Sequence, residues 1–290
     1  MNNLNLSPEC NRVCETVYLF DIDGTLCEST LEISPKMLRL LLSIANNKTA
    51  AGATTGQVAL GVVGGGRPEK IRSQLTEQLT SRLKYLIADN GSIVFINGKL
   101  VESSTATATT NGGTYTSGAS ASGRACPNPS LALNLDLVRK LREKLRSRQK
   151  IYGYDHSREI FDIRDDFIYY TPIGNNSERE SRSRFAERDA REQIRLDLCQ
   201  YIKEEFDELD ATLGGQVGIG IFSHGHDKQR ALNYVTEPTI IYFGDRTEPF
   251  GNDHTIAHDP RVKMAVTVSS PEDTYNWLVT ATKDSHKLKK

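Results

Sequence analysis

Short apolar runs alternate with stretches of helical spacing over the first third of the chain. Apolar runs of four to six residues predict strands at 17–20, 58–63 and 85–88. Between these runs, apolar residues recur at helical spacing, which predicts one helix after an N-cap at Ser34 and a second over 68–83. Because strand and helix alternate, this region predicts a parallel sheet with crossover helices.

The pattern changes in the middle of the chain. Asn97-Gly98 separates two short apolar runs, which predicts a hairpin. Strands interleaved with long helices follow, and this mixture is typical of an antiparallel sheet with helices on one face. The strands are predicted at 160–163, 167–171 and 217–221, and the helices over 133–148 and 186–208.

The last third of the chain returns to the first pattern. The predicted elements are a helix over 228–235, strands at 239–243 and 262–268, and a closing helix over 274–282. The predicted fold class is therefore α/β, a Rossmann-like parallel-sheet core with an inserted α+β cap domain that consists of an antiparallel sheet plus helices. The core is expected to take residues 16–94 and 221–290, and the cap residues 95–220.

Three segments are too polar or too uniform to contribute to a core. Residues 1–15 predict a flexible tail, and the small polar residues of 46–57 predict a loop. Residues 103–124 are almost wholly Ser, Thr, Ala and Gly, so they bury too little apolar surface to offset the entropy of ordering. We therefore predict a disordered insertion in the cap at 103–124.

Composition narrows the class of protein. Of 290 residues, 38% are hydrophobic and 25% charged, and the net charge is −1, so we expect no binding to nucleic acid or to an anionic membrane. No apolar run reaches transmembrane length, and residues 1–15 lack the apolar segment of a signal peptide, which favours a cytoplasmic location. The five cysteines are odd in number and scattered, as is typical of reduced thiols.

Two carboxylates follow the first predicted strand, in Asp21-Ile22-Asp23-Gly24-Thr25. Open α/β sheets bind ligands at the carboxyl ends of their strands, so both acids lie at a candidate site. Phosphoryl transfer needs a nucleophile, a proton carrier and a cation, and we assign Asp21 as the nucleophile and Asp23 as the general acid/base. Asp245, after a later strand, is a third carboxylate suited to Mg²⁺, and Lys228 is expected to neutralise the nucleophile and the phosphate.

These assignments have structural alternatives. An acidic pair at a strand end can be no more than a solvated helix cap, and a lysine such as Lys228 is more often a surface residue. Asp253 has two interpretations of nearly equal weight, a metal-site residue or a cap for the turn that follows it. Arg182 lies in a charged run, and such runs are usually solvated helix faces.

The acid pair, Lys228 and Gly244-Asp245 together resemble the haloacid dehalogenase superfamily. Further motifs resemble one of its families, the eukaryotic phosphomannomutases, in order and spacing from about Val17 onward. These motifs are Gly61-Val62-Val63-Gly64-Gly65, Asp89-Asn90-Gly91, Thr171-Pro172-Ile173-Gly174, Gly214-Gly215-Gln216 and Gly251-Asn252-Asp253-His254. The resemblance implies a mutase that interconverts mannose 6-phosphate and mannose 1-phosphate through an aspartyl-phosphate and a bisphosphate, and so supplies GDP-mannose synthesis. It also implies Mg²⁺, a hexose 1,6-bisphosphate activator and a homodimer formed through the cap.

The same resemblance assigns residues to the substrate and the metal. Arg164 and Arg182 are expected to hold a sugar phosphate from the cap, because a guanidinium can bind two phosphate oxygens at once. The backbone of Gly65 and Gly66 is expected to approach the transferring phosphate. The implied metal ligands are Asp21, the backbone carbonyl of Asp23, and Asp245.

Several family positions are altered in this chain. Gly66 stands where the family has a serine that binds the transferring phosphate, and Thr30 and Asn175 replace two arginines. Gly218 and Gly220 replace a Ser-x-Asp pair that contacts the substrate. Because the acids are retained while much of the substrate contact set is changed, two alternatives stay open. One is a phosphatase that acts on another phosphorylated metabolite, and the other is a catalytically silent paralogue.

Overall fold

Seven strands form the core sheet of the computed structural model, which describes residues 15–46, 58–103, 107–110, 113–116, 134–164 and 166–287. Five strands are parallel, as the alternating pattern predicts, and two more join antiparallel at one edge. The strands are β1 (Thr16–Phe20), β2 (Val58–Val63), β3 (Tyr85–Ala88), β4 (Ile93–Ile96), β5 (Lys99–Ser103), β12 (Thr239–Gly244) and β13 (Val262–Thr267). Their order across the sheet is β13-β12-β1-β2-β3-β4-β5, so β1 lies between β12 and β2.

Both faces of the core sheet are covered. The helices of the core are α1 (Pro35–Asn46), α2 (Pro68–Thr80), α6 (His254–Ala257) and α7 (Pro271–Lys287), with a 3₁₀ helix at Lys228–Asn233. The Ser34 hydroxyl accepts from the N–H of Met37 at 3.3 Å, which confirms the predicted N-cap of α1. On β1, Leu19 faces one apolar cluster and Phe20 the other, the alternation expected of a strand. Burial on both faces explains why β2 and β3 are continuous apolar runs, whereas the edge strand β13 is largely exposed and contains Lys263.

The cap is a four-stranded antiparallel sheet in the order β10-β11-β9-β8. Its strands are β8 (Phe161–Ile163), β9 (Phe167–Tyr170), β10 (Leu209–Gly214) and β11 (Gly218–Ser223), and its helices are α3 (Leu135–Lys150), α4 (Arg179–Glu192) and α5 (Ile194–Glu205). One face of the sheet packs on the helices, where Ile168 and Ile219 meet Leu141 and Leu198. The predicted fold class, a parallel-sheet core with an inserted α+β cap, is confirmed.

The two sheets divide the chain at slightly different places from the predicted boundaries. The hairpin at Asn97-Gly98 adds both of its strands to the core sheet, because β4 pairs with β3, and the core sheet therefore extends past residue 94 to Ser103. At the other boundary β11 keeps the chain in the cap sheet to Ser223, beyond residue 220.

The predicted insertion and tail are described only in part. Within 103–124, β6 (Thr107–Thr110) pairs antiparallel with β7 (Gly113–Thr116). The β-branched threonines and the Asn-Gly between these strands favour such a hairpin. The rest of that segment after Ser103, residues 1–14 and nearly all of the predicted loop at 46–57 lie outside the described ranges.

Two helices differ from their predicted form. The helix predicted over 186–208 is two helices, α4 and α5, because Gln193 takes a left-handed conformation with φ 55°. Asp189 then accepts the backbone N–H of Arg195 at 2.8 Å and begins the second helix. The helix predicted over 228–235 is the 3₁₀ helix. Among the helices that the structure describes, none is long and apolar enough to cross a membrane.

Candidate active site

Asp21 lies directly after β1, at the edge of the sheet where parallel strands bind ligands. Its backbone N–H donates to the carbonyl of Phe243 at 2.8 Å, so the ladder between β1 and β12 continues to the acid itself. The residue is 5% exposed and its carboxylate accepts a hydrogen bond from Lys228. Burial raises the pKa of the Asp21 carboxyl well above its usual range, although the Lys228 ammonium opposes that shift.

Lys228 is the buried cation of the site. It begins the 3₁₀ helix, which Asp227 caps by accepting the N–H of Gln229 at 3.1 Å. The lysine is 1% exposed, and its Nζ donates to Asp21 and, at 2.6 Å, to Asp253. Burial alone would lower the pKa of Lys228, but attraction to the two carboxylates outweighs burial and raises it. Lys228 is therefore a charged bridge between two acids and not a surface residue.

Asp253 is fully buried beneath this bridge. Besides Lys228, its carboxylate accepts the hydroxyl of Tyr242 at 2.7 Å and the backbone N–H of Arg246 at 3.1 Å. A carboxylate with three donors is held in one orientation and holds its donors in turn. These contacts favour a positioning role for Asp253, the fixing of the Lys228 ammonium beside Asp21.

Asp245 follows β12 and completes the acidic group. Burial and the charge of Asp253 raise its pKa to about 6, while Arg246 and Lys228 act in the opposite direction. A Cβ on Gly24 would lie 2.6 Å from a carboxylate oxygen of Asp245, so a glycine at 24 is what allows the acid to approach the Asp21 loop.

This acidic group fits a divalent cation. Asp21, Asp245 and Asp253 each offer a carboxylate oxygen, and these oxygens lie within 4.8 Å of one another. Mg²⁺ prefers such oxygen ligands, and a cation would offset the burial and the mutual repulsion that together raise the pKa values of Asp21 and Asp245. Asp253 already accepts three hydrogen bonds, so Asp21 and Asp245 have more oxygen lone pairs available.

Asp23 points away from that group toward α2. Its carboxylate accepts from the Nζ of Lys70 at 2.7 Å, the Nε2 of Gln74 at 2.8 Å and the backbone N–H of Thr30 at 2.9 Å. Burial opposes ionisation of Asp23, but Lys70 and the other donors outweigh it and lower the pKa. The sequence reasoning missed Lys70 and Gln74. Their spacing of four residues, which places both on one face of a helix, was the available signal.

The glycine loop after β2 forms the next part of the wall. Gly64 donates its N–H to the carbonyl of Ile87 at 3.0 Å, which fixes the start of the loop. Gly65 and Gly66 line the cavity, and neither N–H donates to any residue in the described ranges. The loop therefore presents two backbone donors to the space in front of the acids, as the sequence predicts for a phosphate-binding loop.

A cavity of about 550 Å³ separates the acids from the cap. Asp21, Asp23 and Asp245 line its core side, and Arg182 from α4 lines its cap side. Arg182 is half-buried, and its guanidinium makes no ion pair or hydrogen bond with any residue that the structure describes. The altered position Asn175 also lines the cavity. The structure thus brings the predicted core acids and both predicted cap arginines, Arg164 and Arg182, to the same cavity.

Arg164, the other predicted cap arginine, is held by neighbouring acceptors. Its guanidinium donates to Asp162 at 2.7 Å, to the carbonyl of Gly65 at 2.6 Å, and to Asp89. Asp89 and Gly65 belong to the core, so these contacts join the two domains. The ion pair between Arg67 and Asp162, at 3.0 Å, crosses the same junction. Arg164 lines the cavity, but its donors are already paired.

Aromatic rings cover the two altered glycines of the cap sheet. A Cβ on Gly218 would lie 2.0 Å from the Cζ of Tyr169, and a Cβ on Gly220 would lie 2.7 Å from the Cε2 of Phe167. The two ring centroids are 6.3 Å apart, and the Tyr169 hydroxyl donates to the carbonyl of Gly214 at 3.1 Å. No larger side chain fits at 218 or 220 while these rings stay in place, so the cap wall is aromatic where a Ser-x-Asp pair would make it polar.

The turn between β10 and β11 is fastened to a loop of the core. The N–H of Leu213 donates to the carbonyl of Phe250 at 2.7 Å, and the N–H of Asn252 donates to the carbonyl of Leu213 at 3.2 Å. Arg246 adds a hydrogen bond to the carbonyl of Gly215 at 2.9 Å. This parallel bridge between Leu213 and Gly251 is a further contact between cap and core among the described residues, separate from that of Arg164.

Comparison with known proteins gives a consistent result at the level of sequence. The family model described as eukaryotic phosphomannomutase matches residues 154–283. Phosphomannomutase 1 of Dictyostelium discoideum is 32% identical over 272 residues, which cover 92% of this chain and 96% of the relative. A phosphomannomutase of Triticum aestivum is 30% identical, with 88% of this chain and 91% of the relative covered.

Solved structures show the fold. The IMP-nucleotidase of Plasmodium falciparum, in its IMP-bound form, superposes with a TM-score of 0.56 at 14% identity, and the match covers 91% of this chain and 67% of that one. A haloacid dehalogenase-like hydrolase from Bacteroides thetaiotaomicron superposes with a TM-score of 0.50 at 11% identity, with 92% and 99% covered. At these identities the likeness concerns the core-and-cap architecture alone.

Proposed function

Because the chain belongs to the eukaryotic phosphomannomutase family, we propose that it interconverts mannose 6-phosphate and mannose 1-phosphate. The family predicted from the sequence motifs is confirmed, and the chain is accordingly a phosphotransferase enzyme. One observation carries the proposed reaction. The buried Lys228 bridges Asp21 and Asp253 at the floor of a cavity that the cap closes.

In the proposed reaction Asp21 is the nucleophile. A carboxylate oxygen of Asp21 attacks the phosphorus of a phosphorylated sugar, the bond from phosphorus to the sugar oxygen breaks, and that oxygen takes a proton from Asp23. In the reverse sense the phosphoryl group passes from Asp21 to a sugar hydroxyl, whose proton goes to Asp23. Lys228 offsets negative charge on Asp21 and on the phosphoryl oxygens throughout.

The order of steps defines a mutase. Phosphorylated Asp21 donates to the sugar monophosphate and gives a bisphosphate, which reorients in the cavity and returns its other phosphate to Asp21. A hexose 1,6-bisphosphate is the activator in this scheme, because it loads Asp21 for the first turnover. The three donors to Asp23 favour its carboxylate form, which is the form that accepts the proton of the sugar hydroxyl.

We assign Mg²⁺ to Asp21, Asp245 and the backbone carbonyl of Asp23. When bound there, the ion would supply positive charge to the phosphoryl oxygens during transfer. On the cap side we assign the second phosphate of the substrate to Arg182, because no residue in the described ranges pairs with its guanidinium.

The wider setting is part of the same proposal. The enzyme supplies mannose 1-phosphate for GDP-mannose synthesis in the cytoplasm and works as a homodimer through the cap. Support for the dimer comes from α3 of the cap, where Leu135 is 76% and Ile151, just after the helix, 69% exposed. Cys27 and Cys199 are buried and unpaired, which suits a reducing compartment.

A coupled assay tests the reaction. Purified protein is incubated with Mg²⁺, a hexose 1,6-bisphosphate and mannose 1-phosphate, and we expect mannose 6-phosphate as the product. Release of inorganic phosphate, or no product where an authentic phosphomannomutase is active, would overturn the proposal.

Two further measurements test the nucleophile. Asp21→Asn is expected to abolish turnover while circular dichroism stays unchanged, because an amide oxygen does not form the phosphoryl ester. In the unchanged protein, mass spectrometry after a brief incubation with the bisphosphate should locate one added phosphoryl group on Asp21. Retained activity in Asp21→Asn, or phosphate on another residue, would remove Asp21 from this role.

A further inference from the structure

Asn90 is a buried polar residue in the cavity wall whose side chain makes no hydrogen bond with the residues that the structure describes. It lies in the 3₁₀ turn Asp89–Gly91 after β3 and is 4% exposed. Its side-chain Oδ1 is inaccessible to water and accepts no hydrogen bond from the described residues. Its Nδ2 donates to none of them either but, unlike Oδ1, is not cut off from water, so Nδ2 is the amide atom open to the cavity. Amide groups of buried side chains are normally hydrogen-bonded, so an N–H donor that is open to the cavity and has no acceptor among the described residues indicates a ligand there.

The backbone of Asn90 is held by hydrogen bonds, whereas its side chain makes none with the described residues. Its N–H donates to the carbonyl of Gly64 at 3.1 Å, and its carbonyl accepts the Nε of Arg230 at 2.8 Å. The residue has φ 53°, in the left-handed region that favours glycine. Side chains held in such a conformation by their surroundings are concentrated at functional sites.

The Asn90 amide lies against the glycine loop. A Cβ on Gly65 would be 3.2 Å from the Oδ1 of Asn90, so the amide packs directly on that residue. The backbone N–H groups of Gly65 and Gly66 have no acceptor among the described residues and line the same cavity. Three N–H donors without an acceptor among the described residues therefore line one wall, the backbone N–H groups of Gly65 and Gly66 and the side-chain Nδ2 of Asn90.

We propose that the side-chain amide of Asn90 donates a hydrogen bond to the phosphoryl group in transfer and so supplies the donor that Gly66 lacks. This inference rests on the proposed phosphoryl transfer at Asp21. A hydroxyl at position 66 would reach the phosphoryl group from the end of the loop, and the Asn90 amide reaches it from the next strand, β3. The two donors are alternatives, and one can replace the other.

The first test removes the amide without straining the backbone. Asn90→Gly suits φ 53° and leaves the main-chain contacts in place. The matched control is Asn97→Gly, which makes the same change at φ 50° in the exposed turn between β4 and β5. The probe is beryllium fluoride with Mg²⁺, which mimics an aspartyl-phosphate, and its affinity is measured by ¹⁹F NMR.

We expect Asn90→Gly to weaken the affinity for beryllium fluoride by roughly 10- to 100-fold and to lower kcat/KM by a similar factor, as for the loss of one donor to a charged group. Asn97→Gly should change both by less than about 2-fold, since exposed changes away from a site have small effects. Asn90→Asp, which keeps the shape and replaces the donor with an anion, should bind the probe at least as weakly. Equal affinities in Asn90→Gly and Asn97→Gly would overturn the inference.

The second test is a rescue. A Cβ on Gly66 would lie 3.4 Å from the Cδ of Lys70 and 3.7 Å from the Cγ1 of Ile71, so a serine fits there. Gly66→Ser added to Asn90→Gly should recover most of the lost affinity, because the hydroxyl restores the missing donor. Failure to recover it would mean that Asn90 acts by another route and would overturn the inference. If the unchanged protein binds the fluoride but does not convert mannose phosphates, the proposed mutase activity fails, while both tests of Asn90 remain decisive.

Discussion

The core and cap walls of the cavity are built in opposite ways. On the core side, charges are buried and matched, with Lys228 between Asp21 and Asp253 and with Asp245 beside them. On the cap side, rings cover glycines and Arg164 is paired with acids. Among the described residues, the core wall carries the carboxylates and the buried ammonium to which we assign the proposed phosphoryl transfer.

The contrast shows which part of such a site can change. Asp21 and Asp245 each follow a strand of one parallel sheet, and Asp253 is fixed by Lys228, Tyr242 and the backbone of Arg246, so the positions of these acids depend on the packing of the whole domain. The cap residues stand on the open face of a small sheet, where exchange of a ring for a hydroxyl or carboxylate leaves the apolar cluster behind the sheet intact. The positions of the core acids therefore depend on the fold of the whole domain, whereas the side chains on the cavity face of the cap sheet can change without altering that fold.

The largest expected effect comes from breaking the core wall. Lys228→Met leaves Asp21 and Asp253 buried without a counter-charge, which should lower the free energy of unfolding by about 3–5 kcal/mol and abolish turnover. Urea denaturation at pH 7 measures the stability. Lys144→Met, which removes an exposed ion pair to Glu205, is the control and should have no measurable effect. A Lys228→Met protein as stable as the control would show that the core charges are not coupled.

The two cap arginines should separate in kinetics. Arg182→Ala is expected to raise KM by roughly 10- to 100-fold with little change in kcat, because an unpaired guanidinium is lost from the cavity. Arg164→Ala should raise KM less and make the protein easier to unfold, because its partners Asp89 and Asp162 lose their counter-charge. Steady-state kinetics and urea denaturation of both variants measure these effects. A larger rise in KM in Arg164→Ala than in Arg182→Ala would assign the second phosphate to Arg164.

A Cβ at position 218 should disturb the aromatic wall. Gly218→Ala forces the Tyr169 ring to move and is expected to cost about 1–3 kcal/mol of stability. Gly66→Ala, whose Cβ has only ordinary contacts, is the control. The double variant Gly218→Ala/Tyr169→Ala should lose less stability than the sum of the losses measured in Gly218→Ala and in Tyr169→Ala. Strict additivity in thermal or urea unfolding would mean that the ring does not fill the space over Gly218.

The smallest effects concern pH. In the core, Arg261 hydrogen bonds lower the pKa of Asp259 to about 2. A lowered acid pKa stabilises the fold above the unfolded value near 4, and this stabilisation is lost as pH falls toward 2. Asp259→Asn should therefore lower stability by about 1 kcal/mol at pH 7 and by less at pH 3. A constant difference between pH 7 and pH 3 would contradict this.

His224, just after the last strand of the cap, has the opposite dependence of stability on pH. Hydrogen bonds to Asp210 and to the carbonyl of Asp207 raise the pKa of His224. Its contribution is therefore complete below the unfolded value near 6.5 and is lost as pH rises through the higher folded value. His224→Gln should be slightly less stable than the unchanged protein at pH 5.5 and equal to it at pH 9. Urea titrations at the two pH values measure the difference.

The sequence predicted the core wall better than the cap wall, for a physical reason. Asp21 and Asp245 each follow a strong apolar run, and parallel strands bring their carboxyl ends to one edge. Lys228 was identified by its place after Gly225-His226-Asp227 and by the family resemblance. The break between α4 and α5 was not predicted, because the single left-handed residue Gln193 leaves the helical periodicity of the sequence unchanged. The strand β10 was not predicted either. The rings over Gly218 and Gly220 depend on the pairing of β9 with β11, which no local pattern contains.

Asn90 illustrates the remaining gap. The motif Asp89-Asn90-Gly91 marked a turn and a family position, but the sequence did not show that its amide packs on Gly65 or lacks a partner. Likewise Arg164 was expected at a phosphate, and its pairing with Asp89 follows from how the cap meets the core. Contacts between residues far apart in the chain require the assembled structure.

The backbone hydrogen bonds between Leu213 and the loop at Phe250 make it possible to measure how the cap opens. Any swing of the cap that widens the cavity at this point must rupture the two main-chain bonds donated by Leu213 and Asn252. These two amide hydrogens should therefore exchange with deuterium while the cap is swung open, and a substrate that holds the domains together should slow the exchange of both by the same factor. A catalytic cycle could be followed at two peptide nitrogens that take no part in the chemistry.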